Sequence, residues 1–130
     1  MSKDCDLPVL HQAQWEIMNV IWEQGDCSVG TVWKVLYERR GISRNTVHTL
    51  MNRLEEKGWL SRYESEGGFL YRATVSRQKT QRRTVEKLID TVFNGSSEGL
   101  VLALLGGDKL SKSEVSRIRN LINTAKSRKS

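Results

Sequence analysis

A segment near the middle of the chain carries hydrogen-bonding side chains at helical spacing. Its apolar residues Val47, Leu50 and Leu54 recur at the spacing of one helix face. Arginine suits guanine, asparagine suits adenine, and a threonine methyl group can touch thymine, so these residue types can read base edges. The face opposite the apolar one presents Arg44, Asn45, His48, Thr49, Asn52 and Arg53, with Thr46 near the boundary.

Acidic side chains are scarce in this segment. Between Arg39 and Lys57 the first acidic residue is Glu55, whereas an ordinary surface helix interleaves acids with bases. This scarcity favours a face that meets an anion over an ordinary solvated one. Two further arginines, Arg62 and Arg72, lie near the ends of two predicted strands, and we expect them to approach phosphate groups.

Three helices and a hairpin are predicted to position these side chains. Ser28 and Ser43 are good N-caps for the second and third helices, and Gly41 ends the second. After Gly58 the period changes to that of strands, and Gly67 lies in the Gly-Gly turn signal between them. This order is the outline of a winged helix-turn-helix. The predicted helices cover about 12–24, 28–39 and 44–57, and the strands cover 59–63 and 69–74, with the turn at 64–68.

The remainder of the chain is predicted to be helical, over about 77–93, 98–105 and from the capping-box pattern at 111–114 onward. Its apolar residues exceed what so short a helical segment can bury alone, so we expect a partner copy to cover them. The prediction is therefore a mainly α fold with a small β-hairpin, with a winged-helix DNA-binding domain at 1–75 and a helical dimerisation domain at 76–130. The predicted dimerisation residues are Leu100, Val101, Leu102, Leu104, Leu105, Val115, Ile118 and Ile122.

Charge is unevenly distributed along the chain. The net charge is +6, yet residues 1–75 hold 9 basic and 10 acidic residues while residues 76–130 hold 12 and 5. Local patterning rather than total charge must therefore locate a nucleic-acid site. No apolar stretch approaches the ~18 residues that a membrane span needs, and the first residues do not resemble a signal peptide. We expect a cytoplasmic protein without membrane insertion.

No constellation for catalysis or metal binding can be assembled from the sequence. The cysteines Cys5 and Cys27 fit no metal-ligand spacing, and the two histidines and scattered acids form no nucleophile–base set. We expect no enzyme activity, no cofactor and no metal. Core or half-buried anchors are the predicted role of the four tryptophans, in preference to a stacking platform for single strands; these are Trp15, Trp22, Trp33 and Trp59.

Several runs of residues carry a family resemblance. The segments Gln14–Trp22 and Thr46–Gly58, then Tyr71, and in the C-terminal part Gly99–Leu102 and Leu110–Glu114, resemble the penicillinase-repressor (BlaI/MecI) family. The resemblance implies a winged-helix N-terminal domain, a helical C-terminal dimerisation domain and repression by operator occlusion. It also implies that the third helix enters the major groove, which places near DNA the residues Arg44, Asn45, Thr46, His48, Thr49 and Arg53.

Two departures from the family bear on regulation. Members that are relieved by proteolysis carry an Asn-Phe bond where this chain has Ala103-Leu104, and copper-responsive relatives carry a C-terminal Cys-x-Cys cluster where this chain has no cysteine beyond Cys27. Neither a β-lactam signal nor a copper signal is therefore indicated. A regulatory protease or an antirepressor stays open as a partner.

The function predicted from these observations is a sequence-specific transcriptional repressor that binds double-stranded DNA as a homodimer on a palindromic operator. Two alternatives stay open. One is a winged-helix regulator with a small-molecule effector site in its dimer domain. The other is a winged-helix protein-interaction module that does not read DNA, which would show no salt-dependent affinity for duplexes.

Overall fold

The structure, a computed structural model, describes residues 7–107 and 110–129, with side chains described as far as residue 124. This part of the chain forms helices and one two-stranded antiparallel sheet, so the predicted mainly α fold with a small hairpin is confirmed. In chain order the elements are α1 (Gln12–Gln24), α2 (Val29–Arg40), α3 (Arg44–Glu56), β1 (Leu60–Ser65), β2 (Gly68–Ala73), α4 (Arg77–Val92), α5 (Ser97–Leu105) and α6 (Lys112–Lys129).

The predicted helix ends are confirmed by their capping contacts. The Ser28 hydroxyl accepts a hydrogen bond from the backbone N–H of Thr31 at 3.1 Å, and the Ser43 hydroxyl accepts one from that of Thr46 at 3.2 Å. Each bond satisfies a donor that the first turn of a helix leaves without an intrahelical partner. Gly41 follows α2 with φ +67°, a left-handed conformation that favours glycine. The short turn that fixes α3 against α2 is therefore encoded locally.

The first three helices and the hairpin enclose one hydrophobic core. Every helix contributes apolar residues at helical spacing, and the hairpin covers the open side. Trp59 is buried and the other three tryptophans pack against the core, as predicted. The Trp59 indole N–H donates to the carbonyl of Pro8 at 3.0 Å. Core residues with at most 2% exposure include Ile17, Met18, Val20, Ile21, Val32, Leu36, Val47, Met51, Leu54, Leu60 and Tyr71.

The hairpin is longer and its turn is tighter than the sequence predicts. The ladder runs from the pair Leu60–Ala73 to the pair Ser65–Gly68, which leaves only two residues at the tip. The predicted turn at 64–68 is thus wrong in extent, because Ser65 and Gly68 pair with each other. Strand pairing continues the alternation of faces along both strands up to the turn.

An isolated β-bridge between Cys27 and Tyr71 joins the hairpin to the loop between α1 and α2. The Cys27 N–H donates to the Tyr71 carbonyl at 3.1 Å, and the Tyr71 N–H donates to the Cys27 carbonyl at 2.7 Å. Burial, followed by the charge of Asp26, raises the pKa of the Cys27 thiol, which disfavours the reactive thiolate. Cys27 is therefore a structural residue here. The other cysteine, Cys5, lies outside the described residues.

The chain divides into two compact units, Met1–Thr84 and Val85–Ser130. The first unit extends past residue 75, because the Arg77 guanidinium donates to the Glu23 carboxylate at 3.1 Å and to the Asn19 carbonyl at 3.3 Å, and because Thr80 is buried. Within the second unit, Asn94 and Gly95 have positive φ angles and separate α4 from α5.

The predicted capping box at the start of α6 is confirmed. The Glu114 carboxylate accepts from the Ser111 N–H, and the Ser111 hydroxyl accepts from the Glu114 N–H, each at 3.2 Å. Over residues 7–107 and 110–129, no cluster of three His, Cys, Asp or Glu side chains is placed to hold a metal ion. In those same ranges no single helix is long and apolar enough to cross a membrane. Within them, only α4 and α5 taken together, a bent pair, have the length and the apolar composition of a span.

Candidate nucleic-acid interface

Helix α3 is fixed by one buried face and exposes the other. Val47, Met51 and Leu54 have 0% exposure, and Leu50 is partly buried against the core. A helix anchored in this way presents its opposite side chains as a rigid set. The exposed side chains are Arg44, Asn45, Thr46, His48, Thr49 and Arg53, followed by Glu56 at the end of the helix.

Asn52 occupies a different place from the one that the sequence predicts. Its side chain is half-buried, and its amide oxygen accepts a hydrogen bond from the Tyr71 hydroxyl at 3.3 Å. Tyr71 itself is 2% exposed. Asn52 therefore links α3 to β2 instead of facing outward with its neighbours, because the hairpin folds over this part of the helix.

Arg62 lies on the hairpin face that is turned toward α3. It pairs across the ladder with Tyr71, and residues directly opposite in a ladder share a face. The Arg62 Nε lies 3.3 Å from an oxygen of Glu55 on α3, and its guanidinium carbon lies 4.8 Å from the centre of the Phe69 ring. Both groups hold the guanidinium beside the exposed face of the helix.

Arg72 lies on the opposite face of the hairpin, because it is adjacent to the buried Tyr71 in β2 and successive side chains alternate. Its guanidinium carbon lies 4.9 Å from the centre of the Tyr63 ring, and its Nε lies 3.8 Å from the Asp26 carboxylate. The Tyr63 hydroxyl donates to the same carboxylate, and this hydrogen bond raises the pKa of Tyr63. The structure therefore brings Arg62, but not Arg72, to the α3 side of the hairpin.

A cleft of about 400 Å³ opens between the first turn of α2, the first half of α3 and the hairpin. Sequence reasoning identified the residues on α3 and Arg62 but missed the rest of the cleft. An aromatic residue beside the turn, Phe69 with 47% exposure, was the one signal available for the hairpin wall. The cleft is lined by residues of all three elements, among them Gly30, Arg44, Asn45, His48, Arg62 and Phe69.

Positive charge on α3 is left uncompensated. Among the residues that the structure describes, the Arg62 side chain has an acidic partner, whereas the guanidinium groups of Arg44 and Arg53 form no ion pair or hydrogen bond. Exposed guanidinium groups without acidic partners suit the recognition of phosphate and of guanine. The exposed face of α3, together with the cleft, can therefore bind a polyanion and read base edges.

Comparison with protein families shows which family the chain belongs to. The sequence model of the family described as penicillinase repressor matches residues 10–124. The chain belongs to the penicillinase repressor family. This finding confirms the resemblance predicted from the Thr46–Gly58 segment.

This member of the penicillinase repressor family is similar to two named relatives and to one solved structure. It is 30% identical over 114 residues to the methicillin resistance regulatory protein MecI of Mammaliicoccus sciuri, and the matched stretch covers 88% of this chain and 93% of that protein. It is 26% identical over 123 residues to the penicillinase repressor of Bacillus licheniformis, covering 95% and 96%. It is also similar to the solution structure of the Bacillus licheniformis BlaI monomeric form in complex with the blaP half-operator, with a TM-score of 0.51 and 27% identity over 57% of this chain and 90% of that one.

Proposed function

We propose that this family member is a sequence-specific DNA-binding repressor that acts as a homodimer on a palindromic operator. The observation that carries the proposal is the exposed face of α3, where Arg44, Asn45 and Thr49 project from a helix whose other face packs into the core. The similar BlaI structure is a complex with a half-operator, which supports the same use of the fold here. A repressor of this kind works by occluding the promoter, so it needs no catalytic group and no cofactor.

The proposed DNA contacts fall into two groups. We assign base reading to Asn45 and Thr49, since asparagine bonds to base edges and a threonine methyl group can touch the thymine methyl group. The remaining proposed contacts, toward phosphate or sugar, are Arg44, Thr46, His48, Asn52, Arg53, Arg62 and Arg72. Of these, Asn52 and Arg72 would have to exchange existing partners for DNA, because Tyr71 and Asp26 already engage them.

Homodimer formation is proposed from the apolar surface of the second unit. Leu102 is 60% exposed, Leu105 51% and Ile122 46%, more apolar surface than an isolated soluble unit usually leaves open. A groove of about 220 Å³ is lined by predicted dimerisation residues of α5 and α6, so we assign the groove to the contact with a second copy in preference to an effector. The proposed set is Leu100, Val101, Leu102, Leu104, Leu105, Val115, Ile118 and Ile122.

The proposed division of labour follows from these two surfaces. Residues 1–75 carry the DNA-binding domain and residues 76–130 carry the dimerisation domain. A truncation intended to isolate the first of them should end at Thr84, because the compact unit reaches that residue. In this proposal the protein acts in the cytoplasm, where bacterial DNA lies.

Selection from a pool of random duplexes tests the proposal. We expect an inverted repeat to be enriched, with half-sites about one helical turn apart, since a two-fold dimer meets successive major grooves. Affinity for the selected duplex should fall steeply with salt, because each neutralised phosphate releases counterions. Recovery of no sequence motif, or affinity that does not change with salt, would contradict the proposal.

Relief of repression is expected to bypass the position where protease-relieved members carry their Asn-Phe bond. The bond between Ala103 and Leu104 lies inside α5, and Leu104 is 43% exposed. Ala103 would leave unpaired the polar groups of a protease pocket that hydrogen-bonds an Asn side chain. Such a pocket strongly rejects a substrate that lacks the amide. We therefore expect mass spectrometry of the protein from β-lactam-treated cells to show no fragment ending at Ala103. Detection of that fragment would make the prediction wrong and would name a regulatory protease as the partner.

A further inference from the structure

The cleft between α2, α3 and the hairpin has two guanidinium groups on different walls. The Arg44 side chain extends toward the first turn of α2. If Gly30 carried a Cβ atom, that atom would lie 3.8 Å from the Arg44 Nη2. Arg62 reaches the cleft from β1 and is placed by Phe69 and Glu55. Two guanidinium groups that converge on one cleft suit a single phosphate group, because each can donate two parallel hydrogen bonds to it.

The two arginines differ in whether an acidic side chain is paired with them. Arg44 has no ion pair within the described ranges, whereas Arg62 is paired with Glu55. The side chains of this pair are 45% and 29% exposed, and exposed pairs of this kind are weak. Glu55 is also the first acid on α3, and its ion pair is with an arginine that lines the cleft.

We propose that this cleft seats one phosphodiester group of the DNA backbone, which Arg44 binds directly and Arg62 binds once the phosphate displaces the Glu55 carboxylate. The proposal rests on the proposed function, since it assumes that α3 meets DNA. DNA is the favoured occupant because the cleft opens onto the same exposed face as Asn45 and His48, the proposed reading surface. In this arrangement Glu55 is a positioning residue that lowers affinity for DNA and holds Arg62 in place when DNA is absent.

Replacement of Glu55 gives the sharpest test. Glu55→Gln keeps the length of the side chain and can still accept a hydrogen bond from Arg62, but it removes the competing charge. Glu56→Gln is the matched control, because it makes the same change of net charge at the next residue of α3, which is exposed and forms no ion pair among the described residues. Affinity for the selected operator is measured in the full-length protein over a range of salt concentrations.

The expected result for Glu55→Gln is a gain in affinity of roughly three- to tenfold at low salt, because the phosphate no longer has to displace a carboxylate from Arg62. Its slope of log K against log salt should stay close to that of the wild type, since Arg62 contacts the phosphate in both complexes. Glu56→Gln should leave the affinity nearly unchanged. Arg44→Gln should make the slope shallower by about 0.9. In an Arg62→Gln background the effect of Glu55→Gln should disappear, since the double-mutant cycle isolates the pair.

The cleft assignment is overturned if Glu55→Gln and Glu56→Gln behave alike, or if the effect of Glu55→Gln survives in the Arg62→Gln background. Sodium phosphate titrated against sodium chloride at matched ionic strength should reduce DNA binding more than the chloride does, and Arg44→Gln should abolish the difference, since inorganic phosphate and the DNA phosphate would share the cleft. Inorganic phosphate that binds the protein in an Arg44-dependent way without reducing DNA binding would make the cleft a free-phosphate site and overturn the assignment to DNA. If the wild-type protein does not bind duplexes at all, the proposed function fails first, so the two failures are distinguishable.

Discussion

Arg44→Ala, Asn45→Ala and Thr49→Ala are each expected to weaken binding to the selected operator by roughly 1–3 kcal/mol, through a lost phosphate contact at Arg44 and a lost base contact at Asn45 and at Thr49. The three side chains are exposed on α3, so their removal opens no cavity in the core and should change the free energy of unfolding by less than about 0.5 kcal/mol. Affinity by titration and stability by denaturant unfolding are measured on the same preparations.

The control for these variants is Glu56→Ala, which lies on the same helix and is exposed. It should preserve the discrimination between the operator and a shuffled duplex. A core variant, Met51→Ala, provides the opposite pattern, because Met51 has 0% exposure and its truncation should cost about 2–5 kcal/mol of unfolding free energy. Equal losses of stability in Arg44→Ala and Met51→Ala would show that the faces of α3 have been assigned the wrong way round.

Conversion of the protein to a monomer is expected to have the largest effect on operator binding. The double substitution Leu105→Glu/Ile122→Glu puts charge on two exposed apolar residues of the α5–α6 groove. A dimer that has bound one half-site binds the second one intramolecularly. Loss of the dimer should therefore lower affinity for the full operator by about 10²–10⁴-fold and leave affinity for a single half-site nearly unchanged.

Ser116→Glu/Thr124→Glu is the matched control for added charge, since both residues are exposed on α6 and neither lines the groove. Sedimentation should show a dimer for the wild type and for a Ser116→Glu/Thr124→Glu variant, and a monomer for Leu105→Glu/Ile122→Glu. A Leu105→Glu/Ile122→Glu protein that still sediments as a dimer would contradict the assignment of this groove to the dimer contact.

The helices could be predicted from the sequence because their signals are local. Ser28, Ser43 and Ser111 cap through hydroxyl groups that reach only three residues ahead, and Gly41 supplies a left-handed conformation that its own type favours. The apolar spacing in α3 likewise identifies its buried face without knowledge of what lies against it.

The hairpin could be predicted only in outline, because its details depend on pairing between distant residues. The register that pairs Ser65 with Gly68 shortens the turn, and the bridge between Cys27 and Tyr71 joins residues far apart in the chain. Once the register is known, Arg72 lies on the other face of the hairpin from Arg62. The same register brings Tyr71 over Asn52 and removes that residue from the fully exposed face.

The candidate site was predictable where a single helix carries it and not where three elements converge. The polar residues of α3 follow from its periodicity alone. The cleft needs the first turn of α2 and the hairpin to approach that helix, and the pairing of Arg62 with Glu55 crosses from β1 to α3. Neither feature has a signature in residue spacing.

The measurement that tests the central claim most directly is the ratio of affinities for the selected operator and for a shuffled duplex of the same composition, at one physiological salt concentration. If the exposed face of α3 reads base edges, the wild-type ratio should be about 10³ or more. Asn45→Ala should reduce this ratio chiefly by weakening operator binding, with little change in affinity for the shuffled duplex. A wild-type ratio close to one would contradict the account, because the protein would then bind the DNA backbone without reading its sequence.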